Sequence, residues 1–233
     1  MTALSLNELG FAVRWAASGA GVPIGLAEEL AQAAKAIGQA GLDPARVVSA
    51  ALGGLTTPPR WGGLTIDRTA KTLALRACRG GRLMAIEAGP VLADAMMLSE
   101  GATGLVIQAQ AIDHPLLASA CLTANGLTDQ TIRCHWKCVD GEADVIIDGG
   151  RIVEIRANDD TALYSAGPAD LNVAPDQVAP MPADFVADDA IEAGLIVPDG
   201  SWRRLLRMAS ASWVPSNEAS RLTGAGAGLI DTD

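Results

Sequence analysis

The segment TIRCHWKCVDGEADVIIDGGRIVEIRAN, residues 131–158, decides the fold class of this chain. Its apolar and polar residues alternate, which is typical of strands that bury one face. Asp-Gly pairs at Asp140 and Asp148 divide it into three such runs, and this pair is favoured in tight hairpin turns. The segment therefore predicts an antiparallel meander over about residues 128–157.

Helices are predicted on the N-terminal side of this sheet. The capping box SLNE, residues 5–8, begins the first helix, and an apolar stripe predicts a second helix over residues 23–39. An Asp-Pro pair at residues 43–44 is a typical start for a third helix. We therefore expect an N-terminal helical segment over residues 1–53.

A core of alternating strands and helices is predicted over residues 60–164. Strand patterns occupy LTIDRTAKTLALRA (64–77), GRLMAIEA (81–88) and GLVIQAQAI (104–112). Helix patterns occupy GPVLADAMMLSEG (89–101) and HPLLASACLTANG (114–126).

The C-terminal part is predicted as a loop, a helix and a tail. Residues 165–182 are rich in Pro, Ala and Asp, which indicates a surface loop. The helix, within a segment of residues 183–233, presents an apolar stripe of Trp202, Leu205, Leu206 and Ala209. Apolar groups in the glycine-rich end, residues 213–233, favour an ordered tail. The predicted fold class is α+β, with an N-terminal helical layer, a central mixed or antiparallel sheet and a C-terminal helix, packed as one compact domain.

Composition and charge exclude several kinds of partner. The chain has 27 acidic and 17 basic residues, and its net charge of -10 repels nucleic acid and anionic membrane surfaces. Apolar runs fall short of the roughly 20 residues that span a bilayer. No basic and apolar leader pattern opens the sequence, so we expect a cytoplasmic protein whose four cysteines are reduced. No motif assigns a cofactor.

The segment RCHWKCVD combines Cys134, His135 and Cys138. Strand alternation places His135 on the opposite face from both cysteines, which are about 13 Å apart along a strand. No second Cys/His pair completes a zinc site. We therefore predict thiols that act as small apolar side chains, and no metal site.

His114 is the better placed of the two histidines for acid-base chemistry. It follows a predicted strand and precedes a predicted helix, and Asp113 beside it provides a carboxylate that can orient an imidazole. In the alternative interpretation, Asp113 only caps the helix and His114 is exposed to solvent. We predict His114 and Asp113 as catalytic residues.

Glu87 and Asp94 are predicted ligand-binding residues. They flank a predicted Gly89-Pro90 turn between a strand and a helix, where ligand sites often form in α/β units. The alternative is that these carboxylates belong to the hydrated surface of an acidic protein.

The tail supplies three further predicted ligand-binding residues. Arg221 can hold an anionic group through two parallel hydrogen bonds, while Gly224 and Gly226 allow backbone amides to approach a ligand closely. The GAGAGL at residues 224–229 follows a helix-like segment and no strand, so it lacks the context of a dinucleotide fingerprint.

Three segments carry a resemblance to a family of bacterial proteins of unknown function, common in alphaproteobacteria: residues 5–37, 87–94 and 213–233. The helical hairpin that contains GAGVPIGLAEELAQA, residues 19–33, is also similar to the opening of the malate/lactate dehydrogenase-2 type of oxidoreductase. The Ser-His-Gly motif of that type is replaced by TTPPRWGGL, residues 56–64. The resemblance therefore implies no dehydrogenase chemistry at this motif.

Two functions fit these features. The first is the binding or transformation of a small polar or anionic metabolite in bacterial catabolism. The second is that of a non-catalytic subunit, which forms homo-oligomers or docks onto an enzyme through its Ala/Leu-rich helices and its tail.

Overall fold

The computed structural model describes residues 1–55, 61–78, 81–98, 105–124, 130–176 and 194–213. Its helices are α1 (Leu6–Gly19), α2 (Ile24–Gln39), α3 (Pro44–Gly53), α4 (Ala85–Met97), α5 (Pro115–Cys121), α6 (Asp160–Leu163) and α7 (Asp199–Ser210). Its strands are β1 (Thr2–Leu4), β2 (Leu64–Arg68), β3 (Thr72–Ala77), β4 (Val106–Ile112), β5 (Ile132–Cys138), β6 (Gly141–Asp148), β7 (Arg151–Ala157), β8 (Ala169–Pro175) and β9 (Leu195–Val197). These elements confirm the predicted α+β fold class.

Seven strands form one mixed sheet in the order β2-β3-β4-β8-β5-β6-β7. Strands β3 and β4 are parallel, and every other neighbouring pair is antiparallel. The predicted meander is confirmed as β5, β6 and β7, in which Cys134 pairs with Val145 and Val145 pairs with Ile155. Strands β1 and β9 form a separate two-stranded ribbon.

Strand β8 occupies residues 169–175 of the segment 165–182 that composition predicted as a loop, and over the strand that prediction was wrong. Residues 177–182 of the segment lie outside the described residues. Ala169, Leu171 and Val173 are buried, whereas Asp170 between them is exposed. β8 pairs with both β4 and β5 at the centre of the sheet. The flanking prolines dominated the composition of the longer segment, although a seven-residue alternation was present within it.

The predicted strand over residues 81–88 was also wrong. Only Leu83 makes a strand-like bridge, to Ile112, and α4 already begins at Ala85. The apolar run is short and fits both the two-residue period of a strand and the 3.6-residue period of a helix. Packing of the helix selects the helical conformation here. The chain therefore turns into α4 immediately beside the end of β4.

The N-terminal helices begin where the sequence predicts. The Ser5 hydroxyl accepts the Glu8 amide and the Glu8 carboxylate accepts the Ser5 amide, which completes the capping box. Asp43 caps α3 by accepting the Arg46 amide at 3.0 Å. Helix α1 packs against α2 and α7, and the predicted stripe of α7 has its centre in the fully buried Leu205.

Among the described residues, one cluster of buried apolar side chains joins the helices to the sheet. Trp136 on β5 is its largest fully buried member, and its indole nitrogen donates to the Ala162 carbonyl at 3.0 Å. Among the described helices, none is both long enough and apolar enough to cross a bilayer.

Candidate functional site

Asp113 and His114 lie at the carboxyl end of β4, beside the carboxyl end of the parallel strand β3. Asp113 follows β4 directly, and His114 is the N-cap residue of α5. In sheets with parallel strands, ligands bind outside the carboxyl ends of the strands. We refer to Asp113, His114 and the neighbouring Arg82 as the edge cluster.

The backbone of this turn is left-handed at two side-chain-bearing residues. Ala111 has φ 52° and His114 has φ 39°, and these are the two non-glycine residues with positive φ in the described part of the chain. Such residues cost about 1–3 kcal/mol each, and the surrounding structure must hold them in place. Gly167 supplies part of that restraint, because a Cβ on it would lie 2.9 Å from the Asp113 Cα.

Asp113 caps α4 rather than the helix that follows it. Its carboxylate accepts the Ala85 amide at 2.6 Å, and its own amide donates to the Leu83 carbonyl at 2.9 Å. The interpretation that Asp113 caps α5 is therefore wrong. Burial raises the pKa of Asp113 to about 6, although the Ala85 amide and the positive charge of Arg82 act to lower it.

His114 is buried, with 7% of its surface exposed, so its predicted alternative as a solvent-exposed side chain is wrong. Burial lowers the pKa of His114 to about 4, and the charge of Arg82 lowers it further. The imidazole is therefore neutral at physiological pH, with one nitrogen that donates a hydrogen bond and one that accepts.

Arg82 is the positive charge of the edge cluster. Its side chain is exposed, and no described residue forms an ion pair with it. Asp170 on β8 lies on the other side of the turn, where its carboxylate accepts the Ala111 amide at 3.1 Å. The turn thus presents, beside a neutral imidazole, a guanidinium that forms no ion pair within the described part of the chain.

Sequence reasoning missed Arg82, Asp170 and Gly167 because each joins the turn from another strand or loop. The one local signal is the Gly-Gly-Arg sequence at residues 80–82, which places an arginine directly after a glycine turn.

Glu87 lies near the edge cluster, in the first turn of α4. It is half-buried, and its carboxylate accepts the Gly62 amide. Asp94 is exposed and lies two helical turns further along α4, about 10 Å from Glu87 at 1.5 Å per residue. The structure brings Glu87 to this edge of the sheet and leaves Asp94 on the helix surface.

The Gly89-Pro90 turn predicted between these carboxylates was wrong, since both residues lie inside α4. Gly89 lies where α4 packs tightly against α5, because a Cβ there would lie 2.6 Å from the Cys121 Sγ. Helix packing therefore explains the glycine that the sequence suggested as a turn residue. The predicted site residues Arg221, Gly224 and Gly226 lie outside the described residues.

His135 is partly exposed, and its Nδ1 lies 3.2 Å from the Asp144 carboxylate. Asp144 also accepts from Arg133 at 2.7 Å. Burial raises the pKa of Cys134 to about 12 and that of Cys121 to about 12, so both thiols stay protonated. Within the described residues, no three potential ligands are grouped to hold a metal ion.

Comparison with known protein families finds one match, in the N-terminal part of the chain. Residues 4–55 match the model of a family described as protein of unknown function (DUF3726). No curated protein matches the sequence. The family match covers the helical segment that the sequence resemblance also includes.

Solved structures of dehydrogenases are similar over nearly the whole chain. A dehydrogenase from Sinorhizobium meliloti aligns with a TM-score of 0.55 and 14% identity, covering 89% of this chain and 99% of that one. Malate dehydrogenase from Pyrococcus horikoshii aligns with a TM-score of 0.58 and 8% identity, covering 91% of this chain and 96% of that one. Sulfolactate dehydrogenase from Methanocaldococcus jannaschii aligns with a TM-score of 0.54 and 10% identity, covering 91% of this chain and 97% of that one.

These alignments show that the chain has the fold of malate/lactate dehydrogenase-like oxidoreductases. They confirm the similarity that the N-terminal hairpin suggested and extend it through the sheet. At identities of 8–14% the similarity concerns the fold alone.

Proposed function

We propose that this protein binds a small organic acid at the edge cluster. The supporting observation is the strained turn, because left-handed backbone at Ala111 and His114 is retained only where the structure holds it in place, and such strain concentrates at functional sites. The structural relatives named for malate and sulfolactate act on acids of this size. Their substrates therefore guide the choice of probes.

Each residue of the cluster has a role in this proposal. The Arg82 guanidinium pairs with the carboxylate of the acid through two parallel hydrogen bonds. The neutral imidazole of His114 hydrogen-bonds a hydroxyl or carbonyl oxygen on the neighbouring carbon. The negative charge of Asp113 is compensated by the Ala85 amide and by the N-terminus of α4, so it does not repel the ligand strongly.

Calorimetric titration with malate, lactate and sulfolactate tests the proposal. We expect Arg82→Gln to weaken binding by about tenfold or more, which corresponds to about 1.4 kcal/mol. Arg76→Gln is the matched control, because Arg76 is an exposed arginine on β3 that pairs with Asp67. Unchanged affinity in Arg82→Gln, or an equal loss in both variants, would contradict the proposal.

An exposed aromatic patch favours a second function, that of a subunit in a larger assembly. Phe11, Trp15 and Trp213 are 53%, 39% and 52% exposed, in a chain with only eight aromatic residues. The rings of Phe11 and Trp15 meet edge to face at 5.8 Å, and Ser212 next to Trp213 donates to the Trp15 carbonyl. Exposed aromatic rings are enriched where proteins bind one another.

Light scattering after size exclusion tests this second function. We expect the double variant Phe11→Ser/Trp15→Ser to have a lower mass than the unmodified chain if the patch joins subunits. An Ile24→Ser variant is the control, because Ile24 is a lone apolar residue that is 80% exposed. A monomeric unmodified chain would exclude a homo-oligomeric subunit.

A further inference from the structure

A cleft of about 670 Å³ lies between α3 and α7, on residues separate from the edge cluster. Its lining residues are Ser49, Ala50, Gly53, Gly54, Arg204, Arg207 and Met208. Small-molecule sites have volumes of about 300–1,000 Å³, so this cleft, which is largely open to solvent, has room for a small metabolite.

The cleft exists because α3 and α7 lie side by side with small residues on one of the facing surfaces. The Ser201 hydroxyl donates to the Asp43 carboxylate at 2.6 Å, which joins the first turns of the two helices. At the other end, the Met208 Cε is 3.6 Å from the position of a Cβ on Gly53. The helices are therefore parallel, and the residues that line the cleft on the side of α3 are the small Ser49, Ala50, Gly53 and Gly54.

Two arginines give this cleft a positive charge in a protein of net charge -10. Arg204 and Arg207 are exposed, and neither forms an ion pair with a described residue. Their spacing of three positions puts their Cβ atoms about 5–6 Å apart on one helix face. Two long arginine side chains attached that close together can place their guanidiniums on two neighbouring anionic groups of one molecule.

We propose that the cleft between α3 and α7 binds a small molecule with two or more adjacent anionic groups, held by Arg204 and Arg207. The glycines at the end of α3 let the body of the ligand lie against the helix, and Met208 offers an apolar contact. Arg203, the neighbouring arginine, does not line the cleft. The Arg207 Nε donates to the Arg203 carbonyl at 3.4 Å, so in this proposal its two terminal nitrogens contact the ligand.

Calorimetry on the full chain with inorganic pyrophosphate and with citrate tests this site, and sodium chloride at matched ionic strength controls for general charge effects. We expect saturable binding of at least one probe, weakened by about tenfold or more in Arg204→Gln/Arg207→Gln. Tighter binding of pyrophosphate identifies a phosphate ligand, and tighter binding of citrate identifies a carboxylate ligand. If neither pyrophosphate nor citrate binds, the proposal is overturned.

Two further variants separate the cleft from diffuse surface charge. Arg203→Gln removes one positive charge from the same helix outside the cleft, and we expect it to leave probe affinity within about twofold of the unmodified chain. Gly53→Leu fills the cleft and keeps both arginines, and we expect it to weaken binding. An equal loss in Arg203→Gln, or full affinity in Gly53→Leu, would show that the cleft is not the site.

This proposal is independent of the edge cluster. Arg82→Gln should leave pyrophosphate and citrate binding unchanged, and the Arg204/Arg207 double variant should leave the binding of malate, lactate and sulfolactate unchanged. Either proposal can therefore fail alone.

Discussion

Asp43 and Asp113 both cap a helix with a carboxylate, but they do so in opposite settings. Asp43 caps α3, which follows it directly, and its backbone lies at an ordinary φ of -88°. Asp113 caps α4, which begins 28 positions earlier in the chain, and it stands between two left-handed residues. The local cap by Asp43 stabilises its own helix, whereas the distant cap by Asp113 holds a strained turn in which ionisable groups are buried.

The largest difference between the two settings should appear at their glycines. Gly167, with φ 72°, packs against the strained turn, so Gly167→Ala combines an unfavourable backbone with a clash against Asp113 and should cost about 3–4 kcal/mol. Gly41 near α3 has a similar φ of 75° but open space around it, so Gly41→Ala should cost only about 1–2 kcal/mol. Urea unfolding measures both values, and equal losses would mean that the turn is not closely packed.

The next effect concerns pH. Asp113 has a pKa of about 6 against an ordinary 3.8, so the folded state binds more protons and its contribution to stability is lost as the pH rises from about 4 to 6. His114 has a pKa of about 4 against an ordinary 6.5, so its contribution is lost as the pH falls through the same range. In the unmodified chain these two contributions oppose each other.

Substituting either Asp113 or His114 should therefore expose the pH dependence of stability that the remaining residue contributes. Relative to the unmodified chain, His114→Gln should lose stability as the pH rises from about 4 to 6, and Asp113→Asn should gain it, each by roughly 2–3 kcal/mol. Unfolding by urea at a series of pH values measures the difference. Parallel profiles for all three proteins would show that neither group is shifted by the fold.

Removing the local cap at Asp43 should lower the free energy of unfolding by a smaller amount, and this loss should not depend on the strained turn. Asp43→Ala removes the acceptor of the Arg46 amide and of the Ser201 hydroxyl, and should cost about 1–2 kcal/mol. Asp43→Asn keeps an acceptor and is the control. A loss as large as that of Gly167→Ala would mean that the local cap is as important to the fold as the strained turn.

The smallest effects should separate the two carboxylates of α4. Glu87→Gln weakens the hydrogen bond from the Gly62 amide and should cost about 1 kcal/mol, whereas exposed Asp94→Asn should change stability by less than about 0.5 kcal/mol. Thermal unfolding compares them directly. If Asp94→Asn altered the binding of malate or lactate, the edge cluster would have to extend along α4.

The sequence predicted those features that depend on neighbouring residues. The capping box at Ser5, the Asp43 cap and the hairpins of the meander each follow from a few adjacent positions. The position of Asp113 and His114 between β4 and α5 also follows from neighbouring residues, since a strand pattern ends and a helix pattern begins there.

The remaining features depend on contacts across the chain. The cap from Asp113 to Ala85 and the packing of Gly167 against the turn join segments that are far apart in sequence, so no local pattern records them. Pro90 was misread for a related reason. Proline usually ends a helix, but the packing of α4 against α5 maintains this one.

The central position of β8 has a consequence for how the chain is made. A ribosome that has completed residue 157 has produced β2 to β4 and the meander, but the facing edges of β4 and β5 still lack the strand that joins them. Two groups of strands with open edges therefore coexist until β8 emerges, and open edges are where nascent chains pair wrongly. The last strand of the sheet to be synthesised is the one that closes it, so this protein should depend on chaperones most during that interval.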